Sequence, residues 1–211
     1  MTLFIDTSSS YLNVAIIKNN IVYEKKIESI NSHSDYAIQT IESLFNDNNI
    51  KPKDIKTIMV INGPGSFTGL RIGVTIAKTY AWSFNLKLIP ISTLKAYALS
   101  YKGYDYYVSV IDARRNFVYA SIYNSNYDEL FKETYISIDE LYEKIKNFKS
   151  IKLIGNKNIK DIESTLPNLN IFKIYTYYKY EEGVEPHFLV PNYLKKVEAE
   201  EKLEDKNDKR I

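Results

Sequence analysis

NGPGSFTGLRIGVTIAK, residues 62–78, concentrates backbone freedom in one place: Gly63, Gly65, Gly69 and Gly73 are four of the chain's seven glycines. The β-branched run TIMVI at 57–61 precedes it and predicts a buried strand. An apolar-rich stretch from Leu70 onward predicts a helix. Strand, glycine-rich turn and helix is the layout that aims backbone N–H groups and a positive helix end at an anion. Neither standard phosphate loop fits, because GPGSFTG is not G-x-G-x-x-G and no Gly-Lys-Ser/Thr follows. Spacing alone leaves two readings open. One is a ligand loop through Gly63, Gly65, Ser66, Thr68, Gly69 and Arg71; the other is a tight turn that lets a helix pack closely on a sheet.

Toward the N-terminus, LFI at 3–5 predicts a short buried strand that ends on the polar turn Asp6-Thr7-Ser8-Ser9-Ser10. Segments 12–18 and 21–27 predict two more strands, joined by the turn pair Asn19-Asn20. An acid at the end of a first strand, followed by hydroxyls, suits a cation–phosphate site or a simple Asx turn. Ser32-His33-Ser34-Asp35 offers helix caps, and the helix to about residue 46 carries Ala37, Ile41, Leu44 and Phe45 on one stripe, widened by Ile38. His33, at that helix start, suits a cap or a solvent contact better than metal ligation.

The helix after the glycines has two apolar faces. Leu70, Val74, Ala77, Ala81 and Phe84 make one, and Ile72, Ile76 and Tyr80 lie around the cylinder from it. A helix apolar on more than one side is sandwiched in a core or covered by a partner. Both helices together carry more apolar side chains than one small sheet needs. Ile38, Ile41 and Phe45, with Ile72, Ile76 and Tyr80, are therefore the candidate partner interface, a four-helix seam against a homologous chain or a second copy.

Segment 88–91 predicts a strand, Ser92 its following N-cap, and 93–100 a helix. The pattern restarts around YKGY at 101–104, which predicts an N-terminal lobe over 1–102, a C-terminal lobe over 103–196 and a charged tail over 197–211. The second lobe opens with a strand at 107–111, the charged turn Asp112-Ala-Arg-Arg115 and a returning strand at 117–123. Ser137 and Glu140 form a capping box for a helix to about 148. A strand at 151–154 follows, closed by Gly155-Asn156, then a loop over 181–191 that holds His187. The tail alternates charge without apolar periodicity, as a frayed helix or a disordered segment does. Two consecutive α/β units, each with strands before helices, predict an α/β protein of two similar lobes.

Composition removes several classes. With no cysteine in the 211 residues, thiol nucleophiles, disulfides and thiolate metal sites are excluded, and two histidines do not make a histidine-rich centre. A net charge of +2 is too small to argue for nucleic acid or anionic lipid by bulk electrostatics. The N-terminus reads as no signal peptide and no apolar run approaches a membrane span, so the expectation is a cytoplasmic protein without a membrane partner. Nineteen tyrosines are spread along the whole chain amid Lys, Asn and Ile, as biased composition spreads them.

IDTS at 5–8, His33-Ser34, GPGSFTGLRIG at 63–73, Ala77-Lys78, Ile91-Ser92, Asp112-Ala-Arg114, Val118-Tyr119 and PNYLK at 191–195 occur in the order and spacing of one family. On these residues, nearly the whole chain up to about 196 resembles the TsaB (YeaZ) family, the non-catalytic subunit of bacterial tRNA threonylcarbamoyladenosine synthesis. The resemblance implies a two-lobed actin/Hsp70-like (ASKHA) fold. It also implies pairing with a TsaD-like catalytic subunit, which transfers threonylcarbamoyl to the adenosine beside the anticodon. A TsaE-like ATPase completes the complex, tRNA is met through the complex, and the chain alone forms homodimers. Gln39 departs from the family's frequent proline, and Arg115-Asn116-Phe117 from its usual small-residue and Glu/Gln turn.

Catalytic residues, cofactor and metal are all expected to be absent. The related catalytic subunit resembles a metalloenzyme with a His-x-x-x-His pair, whereas the matching region here is His33-Ser-Asp-Tyr-Ala37. ATPases and sugar kinases of this fold carry glycine in the first hairpin turn, and 6–10 has none. No Gly-x-Ser-x-Gly elbow exists either. The sequence is compatible with three roles: a scaffold subunit, an enzyme of the same fold (a phosphotransferase or a metallopeptidase), and an autonomous RNA-binding module.

Overall fold

The computed structural model describes residues 1–28 and 33–195. Ser32 and the predicted tail 197–211 lie outside the described residues. The chain opens with β1 (Thr2–Asp6), β2 (Tyr11–Lys18) and β3 (Ile21–Glu28), then α1 (His33–Asp47) and β4 (Thr57–Gly63). Next come α2 (Phe67–Phe84), β5 (Lys87–Ser92) and α3 (Thr93–Leu99). The five strands form one sheet in the order β3-β2-β1-β4-β5, with β1 antiparallel to β2 and parallel to β4. Asn19 and Asn20 turn β2 into β3 with φ of 50° and 64°, the left-handed pair that a two-residue hairpin needs.

A second sheet repeats the plan. β6 (Tyr106–Asp112), β7 (Phe117–Asn124) and β8 (Glu129–Ser137) run antiparallel; α4 (Ile138–Ile145) follows, and β9 (Ile151–Gly155) joins β6 in parallel, giving β8-β7-β6-β9. The first four strands of the first sheet have the same order and sense, so the two lobes are one topology used twice. α5 (Ile171–Tyr178) is the last α-helix among the described residues.

β1 is buried along its whole length because both faces of its sheet are covered. Leu3 and Ile5 face the core under α1 and α2, and Phe4 faces the core under α3 and α5. α3 is wedged between the lobes: Ala96 and Leu99 join the first sheet's core, while Tyr97 and Ala98 pack with Tyr107 and Tyr123 of the second. The last described stretch then returns to the first sheet. Ile171 and Ile174 pack beside Phe4 and Ile89, Leu189 beside Leu3, and the Asn192 N–H donates to the Asn62 carbonyl. Residues 171–192, expected with the second lobe, thus sit on the first.

Two elements had no counterpart in the expected pattern. β8 reads ELFKETYIS and is half-exposed, so its alternation is interrupted by charge. α5 reads IFKIYTYY, whose residue types favour strands. The Asn170 side chain accepts from the Lys173 N–H and starts the helix there, and burial of Ile171 and Ile174 holds it. α4 stops at Ile145 rather than near 148. No helix among the described residues is long and apolar enough to cross a membrane.

Candidate functional site

The glycines of the central segment form a groove along α2. Gly69 and Gly73 are four residues apart on one face of α2, and Gly65 lies just ahead of the helix and its cap Ser66. The turn after β1 lies in that groove: a Cβ at Gly65 would stand 2.6 Å from the Ser8 carbonyl oxygen. A Cβ at Gly69 would run into the Thr7 carbonyl, and one at Gly73 into the Thr7 hydroxyl. Thr7 Oγ1 donates to the Gly69 carbonyl at 2.7 Å, and the Ser66 N–H donates to the Ser8 carbonyl at 2.8 Å. Ser66 caps α2 by accepting from the Gly69 N–H. Gly63, at φ 129°, is the one of the four that needs glycine's backbone range as well. The structure therefore uses the glycines for close packing of helix against turn.

The turn itself is an Asx turn. Asp6 Oδ1 accepts from the Ser8 N–H at 2.8 Å and from Ser8 Oγ at 2.7 Å. Burial pushes the Asp6 carboxyl above its ordinary range, and the two Ser8 bonds offset part of that rise. His33 is 7% exposed, so it is a tether and not a solvent contact: its Nε2–H donates to the Ser9 carbonyl at 2.7 Å and ties the start of α1 to the turn. No three His, Cys, Asp or Glu side chains among the described residues converge as a metal site would require.

Thr68 is exposed, and Arg71 lies 3.9 Å over the Phe67 ring while its Nε donates to the Tyr193 hydroxyl at 3.0 Å. Phe67 in turn stacks on Tyr193 at 4.8 Å. This flank of α2, including Lys78 Nζ on the His187 carbonyl, clamps the returning C-terminal segment. Ser66, Thr68, Gly69 and Arg71 accordingly serve a cap, a surface, a groove and a clamp.

The six candidate interface residues separate into two layers. Ile41 and Phe45 are 6% and 5% exposed and belong to the core under α1, so they are corrected from the exposed strip. The α1 stripe is real, but it is the stripe that faces the sheet. Ile38 is 57% exposed, and Ile72, Ile76 and Tyr80 are half-buried against the edge of that core. Phe45 meets the Tyr80 ring edge-on at 6.5 Å and His33 approaches Gly69, so α1 and α2 run side by side in the same direction. Phe84, expected on the buried face of α2, is 47% exposed at the helix end.

A cleft of about 650 Å³ opens between the two sheets. The first lobe contributes Asp6, Asn13 and Lys26, neighbours across β1, β2 and β3, with Ser8–Ser10 and Tyr97. The second contributes Asp112, Arg114, Tyr119 and Asn156. Asn13, Lys26 and Tyr97 carried no sequence signal, since only the strand register brings them beside Asp6. Glu133 of β8 bridges the lobes beyond the cleft: Ser92 Oγ donates to one carboxylate oxygen and Asn192 Nδ2 to the other, at 3.2 Å. Burial holds the Glu133 carboxyl above its usual range.

Residues 20–176 match the family described as TsaD, tRNA N6-adenosine threonylcarbamoyltransferase. The tRNA threonylcarbamoyladenosine biosynthesis protein TsaB of Bacillus subtilis (strain 168) is 31% identical over 95% of this chain and 96% of its own length. This chain belongs to the TsaB (YeaZ) family. The TsaB protein of Buchnera aphidicola subsp. Schizaphis graminum is 30% identical over 76% of the chain and 80% of its own length. YeaZ from Pseudomonas aeruginosa superposes with a TM-score of 0.77 over 92% of this chain and 99% of its own, at 19% identity. That likeness shows the fold, and with the TsaD family match it supports the two-lobed ASKHA architecture expected from the family.

Proposed function

We propose that this chain works in the biosynthesis of threonylcarbamoyladenosine in tRNA as a non-catalytic subunit that binds and activates a TsaD-like catalytic homologue, with a TsaE-like ATPase completing the assembly. Near full-length similarity to the Bacillus subtilis TsaB protein carries the reading. The site supports it. The glycines that would let a phosphate approach the backbone are occupied by Thr7 and Ser8, and Asp6 is engaged by Ser8. The partner surface is the groove between α1 and α2, where Ile38 stands proud and Ile72, Ile76 and Tyr80 line the flank, with Ile41 and Phe45 as its foundation. A homologue presents a similar pair of helices, so the same seam serves a homodimer when the chain is alone.

Reconstitution tests the proposal. The TsaD-like and TsaE-like proteins, with tRNA, ATP, threonine and bicarbonate and the enzyme that makes threonylcarbamoyl-adenylate, are assayed with and without this chain. Transfer that depends on this chain supports the reading, and transfer by this chain alone overturns it.

A further inference from the structure

Three lysines gather around residues 100–105, the turn that carries the chain from α3 into β6, and each comes from a different element. Lys102 belongs to the turn and is exposed, Lys152 stands on β9, and Lys173 stands on α5. Lys152 Nζ lies 5.3 Å from the Tyr101 ring centre and 5.6 Å from that of Tyr104, and it donates to Thr165 Oγ1 at 2.7 Å. Lys173 Nζ donates to the Tyr101 carbonyl at 3.0 Å and to the Tyr127 hydroxyl, and it sits 4.1 Å from the Tyr127 ring centre. None of the three forms an ion pair among the described residues, and Asp105, the one acid of the turn, pairs with none of them.

The cations are therefore crowded and uncompensated. Burial holds the Lys173 ammonium below its ordinary range, and the Lys102 charge pushes the same way against an opposing pull from Tyr107. Lys152 and Lys173 are also tethered, so part of the ordering cost that a flexible lysine meets on binding an anion is already met. The rings beside them form a fixed wall. Tyr104 is half-buried and meets Tyr107 edge-on at 6.2 Å, and Tyr107 stacks on Tyr127 at 5.1 Å. Clustered lysines suit a polyanion, and a partly exposed ring among them suits one whose units can stack. A phosphodiester chain with bases has both properties, whereas an acidic protein or a lipid headgroup has only the charge. The net charge of +2 hides the feature because it is local.

We infer that this patch is a contact surface for RNA, through which the chain itself touches the tRNA. Lys102, Lys152 and Lys173 take backbone phosphates, and Tyr104 offers a ring to an unpaired base. The inference rests on the proposed role in tRNA modification and adds to it a contact made by this subunit's own residues.

Fluorescence anisotropy of the full chain with a labelled tRNA transcript, across a salt series, tests this. Saturable binding is expected. The triple variant Lys102→Gln, Lys152→Gln, Lys173→Gln, checked by circular dichroism, should bind at least tenfold more weakly in 50 mM salt, and its salt slope should fall by about 2. Tyr104→Ala should weaken binding at least threefold and leave the slope unchanged. The control Lys51→Gln, Lys53→Gln, Lys56→Gln removes the same charge from exposed positions elsewhere and should bind as the parent does. No binding at about 100 μM protein, a control that weakens as much as the patch variant, or a folded patch variant or Tyr104→Ala that binds like the parent overturns the inference. So does preference for phosphatidylserine vesicles over the transcript. Capture of the TsaD-like subunit is measured on the same preparations. A parent that captures it but shows no patch-dependent tRNA binding refutes this contact alone, while a parent that fails to capture it refutes the subunit reading.

Discussion

Gly65→Ala should destabilise the chain without touching its chemistry. The new Cβ would stand 2.6 Å from the Ser8 carbonyl oxygen, 2.9 Å from Ser8 Cβ and 3.3 Å from Ser8 carbonyl carbon. Two of these three atoms are backbone, so no rotamer change clears them, and the start of α2 must move off the β1 turn. Overpacking of that kind costs about 1–3 kcal/mol. The shift also stretches the 2.8 Å bond from the Ser66 N–H to the Ser8 carbonyl, a loss of about 1 kcal/mol. Together the change is about 3 kcal/mol, which for a chain of this length lowers the melting temperature by about 6–12 °C. Gly103→Ala is the control, because a Cβ there meets nothing within 4 Å and suffers only its φ of 88°, about 1 kcal/mol. Differential scanning fluorimetry on the parent and both variants decides it. If Gly65→Ala melts no lower than Gly103→Ala, the close-packing account of the glycines is wrong.

Ile76→Glu should keep near-parental circular dichroism, since Ile76 is half-buried at the rim of the core, yet lose capture of the TsaD-like subunit; a folded variant that still binds refutes the seam. Asp6→Asn should gain stability relative to the parent as pH rises. The raised carboxyl pKa of Asp6 means the folded state holds its proton longer than the unfolded chain, so the parent loses stability as pH climbs from the ordinary carboxylate pKa through the folded one. Asn keeps the acceptor for Ser8 and has no charge to bury; a parent–variant difference in urea midpoint that is flat between pH 4 and 7 contradicts this. Asn85→Gly, at the left-handed C-cap of α2 with φ 49°, should raise the melting temperature slightly, and Asn85→Val should lower it; equal effects would remove the cap argument.

Local pattern made most of the fold legible. The strand–glycine–helix segment, the Asn19-Asn20 hairpin, the Ser92 cap and the Ser137–Glu140 capping box all appear where the residues place them. What the sequence could not supply was long-range. Ile41 and Phe45 are legible as an apolar stripe, but that this stripe meets the sheet is a matter of tertiary packing. α5 is a helix against its composition because the first sheet offers a place for Ile171 and Ile174. By sequence Asp6 suits a ligand site or an Asx turn equally, and the two bonds from Ser8 make it the turn. The cleft residues Asn13, Lys26 and Arg114 come from three separate elements, and only sheet register and lobe packing bring them together.

The seating of Thr7 on bare backbone of α2, and of Ser8 on Gly65 just ahead of it, has a mechanical meaning. Where a turn rests on side chains, a displacement can be absorbed by a rotamer hop before it travels further. Here nothing lies between the turn and α2, and His33 fastens the beginning of α1 to the same turn. The rim of the cleft and the two helices that flank the groove therefore shift as one stiff piece, like a lever without slack.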